Sequence, residues 1–112
     1  MKYAMFIGRY QPLHEGHIWL FRQKIEEGIP VLVCIRDVEP DAKNPWNASE
    51  VKTNIETQLQ DWVQSEMLKI MIIPDIEGVY YGRDVGYKVE QIQAPPSIQE
   101  ISATEIRKKM GL

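Results

Sequence analysis

The sequence is poor in cysteine and histidine and has no long hydrophobic run, and each scarcity removes a class of protein. Its single cysteine, Cys34, cannot build a disulfide framework. Lying in the apolar run Val31 to Ile35, it reads as a packing residue in a reducing, cytoplasmic setting. The start, Met1-Lys2-Tyr3-Ala4, leads into an apolar stretch too short for a membrane span and carries no signal-peptide cleavage pattern. Basic charge is not in surplus: 13 Lys and Arg stand against 16 Asp and Glu, a net charge of −3. A broad nucleic-acid footprint needs a strongly basic face to displace counterions, so any anion site here must be local. Neither a Walker P-loop nor a GxGxxG fingerprint occurs, which disfavours kinase and dehydrogenase chemistry. Zinc hydrolysis is also disfavoured, because His14 and His17 stand three apart around Glu15, whereas the zinc helix needs histidines four apart. No set of metal ligands is assigned.

What remains fits one small domain over residues 1–112, with 44% apolar and 26% charged residues, ordinary values for a modest buried core. Tyr3 to Ile7, Val31 to Ile35 and Leu68 to Ile73 are continuous apolar runs, the pattern of strands buried on both faces of a parallel sheet. Between the first two, Gly16 to Glu27 places Ile18, Phe21 and Ile25 at helical spacing before Gly28, a helix stop. Asn47 and Glu50 form a capping pair ahead of the stripe Val51, Ile55, Leu59, Trp62 and Val63, which reads as one helix. Residues 78–82 and 87–92 read as short extended segments. Ser102 and Glu105 open a terminal helix with Ile106 and Met110 on its apolar side. Alternating strands and helices predict an α/β fold, a small Rossmann-like parallel sheet with helices on both faces, and ligands at the carboxyl ends of its strands.

Two segments carry chemistry. Gly8-Arg9-Tyr10-Gln11-Pro12-Leu13-His14-Glu15-Gly16-His17 leaves the first strand and enters the first helix, where unsatisfied N–H groups favour an anion. Gly16 lets the backbone approach a phosphate, His14 and His17 supply hydrogen-bond donors to charge developing on transferred oxygens, and Arg9 adds a fixed positive charge. One loop histidine alone is better explained as solvated. Two histidines around a glycine, with an arginine upstream at a strand-to-helix turn, are more than packing requires. Ile101-Ser102-Ala103-Thr104-Glu105-Ile106-Arg107 opens the last helix. Capping explains Ser102 and Glu105, so an anion-binding reading rests on Thr104 and Arg107, and by itself the segment suits an ordinary N-cap equally well.

The first segment resembles the GRxQPxHxGH form of the HxGH signature, and ISATEIR resembles the ISxTxxR signature, of the nucleotidyltransferase superfamily. Asn44 to Glu50, NPWNASE, is similar to the NPFTxxE segment of archaeal-type nicotinamide mononucleotide adenylyltransferases. The resemblance implies transfer of a nucleoside monophosphate from a nucleoside triphosphate to a phosphorylated small-molecule acceptor, with release of pyrophosphate. AMP from ATP is favoured, with CTP as the alternative donor. It implies catalytic roles for His14, His17 and Arg107, nucleotide contacts from Gly8, Arg9, Gly16, Lys43, Ser102 and Thr104, and Mg²⁺ bridging the nucleotide phosphates. Arg83, in Tyr80-Tyr81-Gly82-Arg83-Asp84, suits an acceptor phosphate no better than it suits a solvated turn. A nucleotide-binding regulatory module without turnover is the competing class. A fragment of a class I tRNA synthetase fits poorly, since no lysine-rich second signature is present. Trp19, Trp46 and Trp62 suit a homo-oligomer interface as well as they suit a core.

Overall fold

A computed structural model describes residues 2–83, 86, 88–99, 106, 110 and 111. The chain forms β1 (Ala4–Gly8), α1 (Glu15–Ile25), β2 (Val31–Asp37), α2 (Ala48–Gln58), α3 (Gln60–Gln64), β3 (Leu68–Pro74) and the short α4 (Pro96–Gln99). The strands make a parallel sheet in the order β1-β2-β3, in register from Ala4 beside Val31 to Gly8 beside Ile35 and from Val31 beside Leu68 to Asp37 beside Pro74. This is the parallel α/β sheet that the sequence implies.

Right-handed crossovers between strands laid down in sequential order place successive helices on the same face. Alternate strand residues point to opposite faces, and one set, Ala4 and Phe6, Val31, Val33 and Ile35, Leu68 and Ile70, packs with Phe21 of α1, Val51 and Ile55 of α2 and Trp62 of α3. Phe21 and Ile55 are at most 1% exposed, and Phe6 meets Phe21 edge to face with centroids 5.3 Å apart. The other set includes Met5, 58% exposed, and Met71, 44% exposed. The expected helix layer on that second face is therefore not found among the described residues. Full burial of the first and third strands is corrected with it: only β2, buried at Val31, Val33, Cys34 and Ile35, comes near it, because it alone has a neighbour on either side.

Two further expectations change. The stripe from Val51 to Val63 is split at Leu59, whose φ of −115° and ψ of 31° interrupt the helix. Trp62 and Val63 still reach the core, so periodicity kept the apolar face and concealed the break. No described residue of 78–92 lies in a strand. Val79, Tyr80, Tyr81 and Val89 are all more than half exposed, so these apolar residues find no sheet face to bury against. Of the terminal helix, Ile106 is helical, while Ser102 and Glu105 lie outside the described residues. Among the described residues no helix is long and apolar enough to cross a membrane.

The one-sided core makes a contrast measurable by chemical denaturation. Phe21→Ala is expected to cost about 3–5 kcal/mol of stability, the usual range for emptying a buried aromatic site. Met5→Lys is expected to stay within about 0.5 kcal/mol of the parent, as at other surface positions. Comparable losses in both variants would show that the second face is covered.

Candidate active site

The turn between β1 and α1 is built around its own imidazoles. His14 is the N-cap of α1, with extended backbone, and its Nδ1 accepts from the Gly16 N–H at 3.0 Å. His17 reaches back, its Nδ1 accepting from the His14 N–H at 3.1 Å. This is a reciprocal capping box in which imidazoles replace the usual Ser and Glu. An imidazole nitrogen that accepts carries no proton, so in each neutral ring the hydrogen resides on Nε2. The rings stack with centroids 3.8 Å apart and planes inclined by 21°. The outcome is a pair of parallel N–H donors at the amino end of a helix.

Burial keeps the pair neutral. Desolvation lowers the His17 pKa to about 3, with the neighbouring His14 adding to the effect. The His14 pKa is also lowered by burial, against an opposing pull from Glu15. Two stacked imidazolium ions would repel, and a protonated Nδ1 would lose its capping bond, so the geometry and the shifts agree.

The glycines of the turn have packing reasons. A Cβ on Gly16 would lie 2.8 Å from His14 Cε1 and 3.0 Å from His14 Nδ1, so the His14 ring can fold over position 16 only if that position has no side chain. A Cβ on Gly8 would meet the Tyr10 ring at 3.1 Å. Tyr10 takes the left-handed φ of 52°, and its buried ring packs edge to face on His17 at 4.8 Å and against Phe21 at 5.9 Å. A run of aromatic contacts thus joins Phe6 in the sheet to the catalytic candidate His17.

A second loop, residues 38–47, approaches from the β2–α2 connection. Asp41 accepts from the N–H groups of Lys43 and Asn44 at 2.8 and 2.7 Å. The Asn44 N–H chiefly, with help from Lys43 and from the charge of Arg9, holds the Asp41 carboxyl below its usual range. Arg9 therefore reaches this loop electrostatically. Its Nη2 is buried without a hydrogen-bond partner among the described residues, a costly state that calls for an explanation. Gln11, 6% exposed, joins the loops through two bonds to the Trp46 backbone. Asn47 and Glu50 then cap α2 as expected. Beside both loops opens a groove of about 810 Å³, lined among others by Tyr10, Leu13, Trp46, Asn54, Ile106 and Met110.

The structure thus brings together Gly8, Gly16, His14 and His17. Arg9 follows Gly8 in the chain and acts on Asp41 of the second loop. Lys43 and Arg83 are exposed. Ser102, Thr104 and Arg107 lie outside the described residues, although Ile106, next to Arg107, lines the groove together with Tyr10 and Leu13. Sequence reasoning gave no role to Tyr10 or Gln11. Both stand in the motif, but Gln11 bonds a residue 35 positions away, which no local spacing reveals. Among the described residues no cluster of three or more His, Cys, Asp or Glu side chains can hold a metal ion.

A parallel sheet whose first strand runs through a turn into a helix amino end is an architecture suited to phosphate-bearing ligands. No family model matches the chain. Over 137 aligned positions it is 27% identical to a nicotinamide-nucleotide adenylyltransferase of Methanolobus tindarius, covering 98% of this chain and 78% of that protein. The similarity supports a relation to nucleotidyltransferases.

The neutral imidazole pair has a pH signature. The folded His17 pKa lies below its value in the unfolded chain, roughly 6.5, so the unfolded state binds protons first as pH falls. Its contribution to stability is complete above about pH 6.5 and is lost toward its folded pKa of about 3. In His17→Gln, whose amide oxygen can still accept from the N-cap, thermal melts are expected to show a shallower fall in Tm between these limits. An unchanged acid slope would contradict the assignment.

Proposed function

We propose that this protein is a nucleotidyltransferase that moves AMP from ATP to a phosphorylated acceptor, an oxygen of the acceptor phosphate attacking the α-phosphorus in line as pyrophosphate leaves. The observation that carries this reading is the pair of neutral Nε2–H donors set by the reciprocal cap at the start of α1. Negative charge grows on the oxygen joining the α- and β-phosphates as that bond breaks. Two donors already fixed at a helix amino end stabilise it without reorganising. The acceptor phosphate is already an anion at neutral pH, so positioning matters more than a general base. Neither imidazole, with its depressed pKa, needs to take a proton.

The unpartnered Arg9 Nη2 supports an anion beside the turn, since a bound phosphate would account for a guanidinium held there. By resemblance, Thr104 and Arg107 would hold the β- and γ-phosphates with Ser102 assisting, and Lys43 would approach from the second loop. Mg²⁺ is proposed to arrive with the triphosphate rather than on protein ligands. The preference for ATP rests on the NPWNASE resemblance and on the relative's name, which pairs an adenylyl group with a nicotinamide nucleotide. Nicotinamide mononucleotide is accordingly the first acceptor to test.

Pyrophosphate release should be measured with ATP and with CTP against a panel of phosphorylated acceptors that includes nicotinamide mononucleotide. Release with ATP is expected to exceed release with CTP. His14→Ala and His17→Ala are each expected to lower kcat about a hundred- to a thousand-fold, the usual effect of losing one preorganised donor. Undiminished rates in both variants would overturn the proposal. Gly16→Ala is expected to approach the His14→Ala rate, because its methyl group would lie 2.8 Å from His14 Cε1 and force the ring aside.

A further inference from the structure

The two loops of the site belong to different β–α units, and Gln11 ties them together. Its carboxamide meets the Trp46 backbone at both ends: Nε2 donates to the Trp46 carbonyl at 2.8 Å, and the Trp46 N–H donates to Oε1 at 3.1 Å. A side-chain amide offers one donor and one acceptor edge, as a peptide unit does, so this pairing imitates two adjacent bonds of a β ladder. Gln11 stands three residues before His14, the N-cap of α1, and Trp46 stands one before Asn47, the N-cap of α2. The clamp therefore sets the start of one helix against the start of the other.

We infer that Gln11 is a positioning residue for nucleotidyl transfer, holding loop 38–47 in register with the imidazole pair so that both loops meet one ligand. The inference rests on the nucleotidyltransferase reading above. Its side chain takes no part in the capping bonds of His14 and His17. Removing it leaves the two capping bonds of α1 intact and takes away both bonds that hold Trp46 of the second loop. The loss then falls on the step that requires both loops at once, and the nucleotide's encounter with the imidazoles is largely retained.

Two replacements separate the bonds from the volume. Gln11→Met fills the space and makes neither bond. Gln11→Glu keeps an acceptor for the Trp46 N–H but sets a carboxylate against the Trp46 carbonyl, so a near-isosteric change fails too. A purely space-filling role predicts that both are tolerated.

The full chain labelled with 5-fluorotryptophan gives fluorine resonances for Trp19, Trp46 and Trp62, and Trp46→Phe assigns the middle one. In both Gln11 variants the Trp46 resonance is expected to move while those of Trp19 and Trp62 stay. In steady-state assays kcat is expected to fall roughly tenfold or more, with KM for ATP within about threefold of the parent. A Trp46 resonance unmoved in both variants overturns the clamp, and a moved resonance with unchanged kcat overturns the positioning role. Displacement of all three resonances together overturns it as well, since it marks general loosening. A parent chain that releases no pyrophosphate with any acceptor sinks the transfer reading and the positioning role with it. The fluorine spectra then report only whether Gln11 joins the loops.

Discussion

Two backbone N–H groups at the start of α1 find their acceptors on two imidazoles, and the rest of the candidate site follows from that exchange. Because each Nδ1 is occupied in this way, the proton of each neutral ring sits on Nε2, and because both rings cap one turn they lie stacked. The same requirement makes position 16 a glycine, since His14 folds over it. A single local constraint thus fixes the tautomers and the ring orientation, and burial keeps the pair neutral. Hydrogen bonding of this kind is worth modest stability net of water. Its larger effect is to settle where two donors stand before any ligand arrives.

The parallel sheet was legible in the sequence because its evidence is local: three apolar runs separated by helical periodicity. Which faces those strands bury was not legible. An apolar run such as Tyr3 to Ile7 reads the same whether one face is covered or two, and the difference arises from sequential strand order, a property of the whole sheet. The break at Leu59 escaped for a related reason, since α2 and α3 present their apolar residues to the same core and periodicity records the face rather than the continuity. His14 and His17 were found because type, spacing and placement at a strand-to-helix turn all lie within four residues. Their capping role was not foreseen, because imidazole is a rare substitute for the side chains that usually cap helices. Gln11 stayed silent because its partner is distant along the chain. The face of β1 that carries Met5 and Ile7 shows the same limit, as nothing in its residues announces that it lies open.

The contacts from Phe6 on the edge strand β1 through Phe21 and Tyr10 to His17 run from the sheet layer to the candidate site. In a larger enzyme, core and site are separated by layers that absorb small adjustments. Here one short aromatic spine serves both, and interiors packed at crystal-like density pass displacements on rather than damping them. The stability of the core and the placement of the imidazole pair are therefore linked in this chain. A change in the packing of Phe21 is felt at His17 through Tyr10.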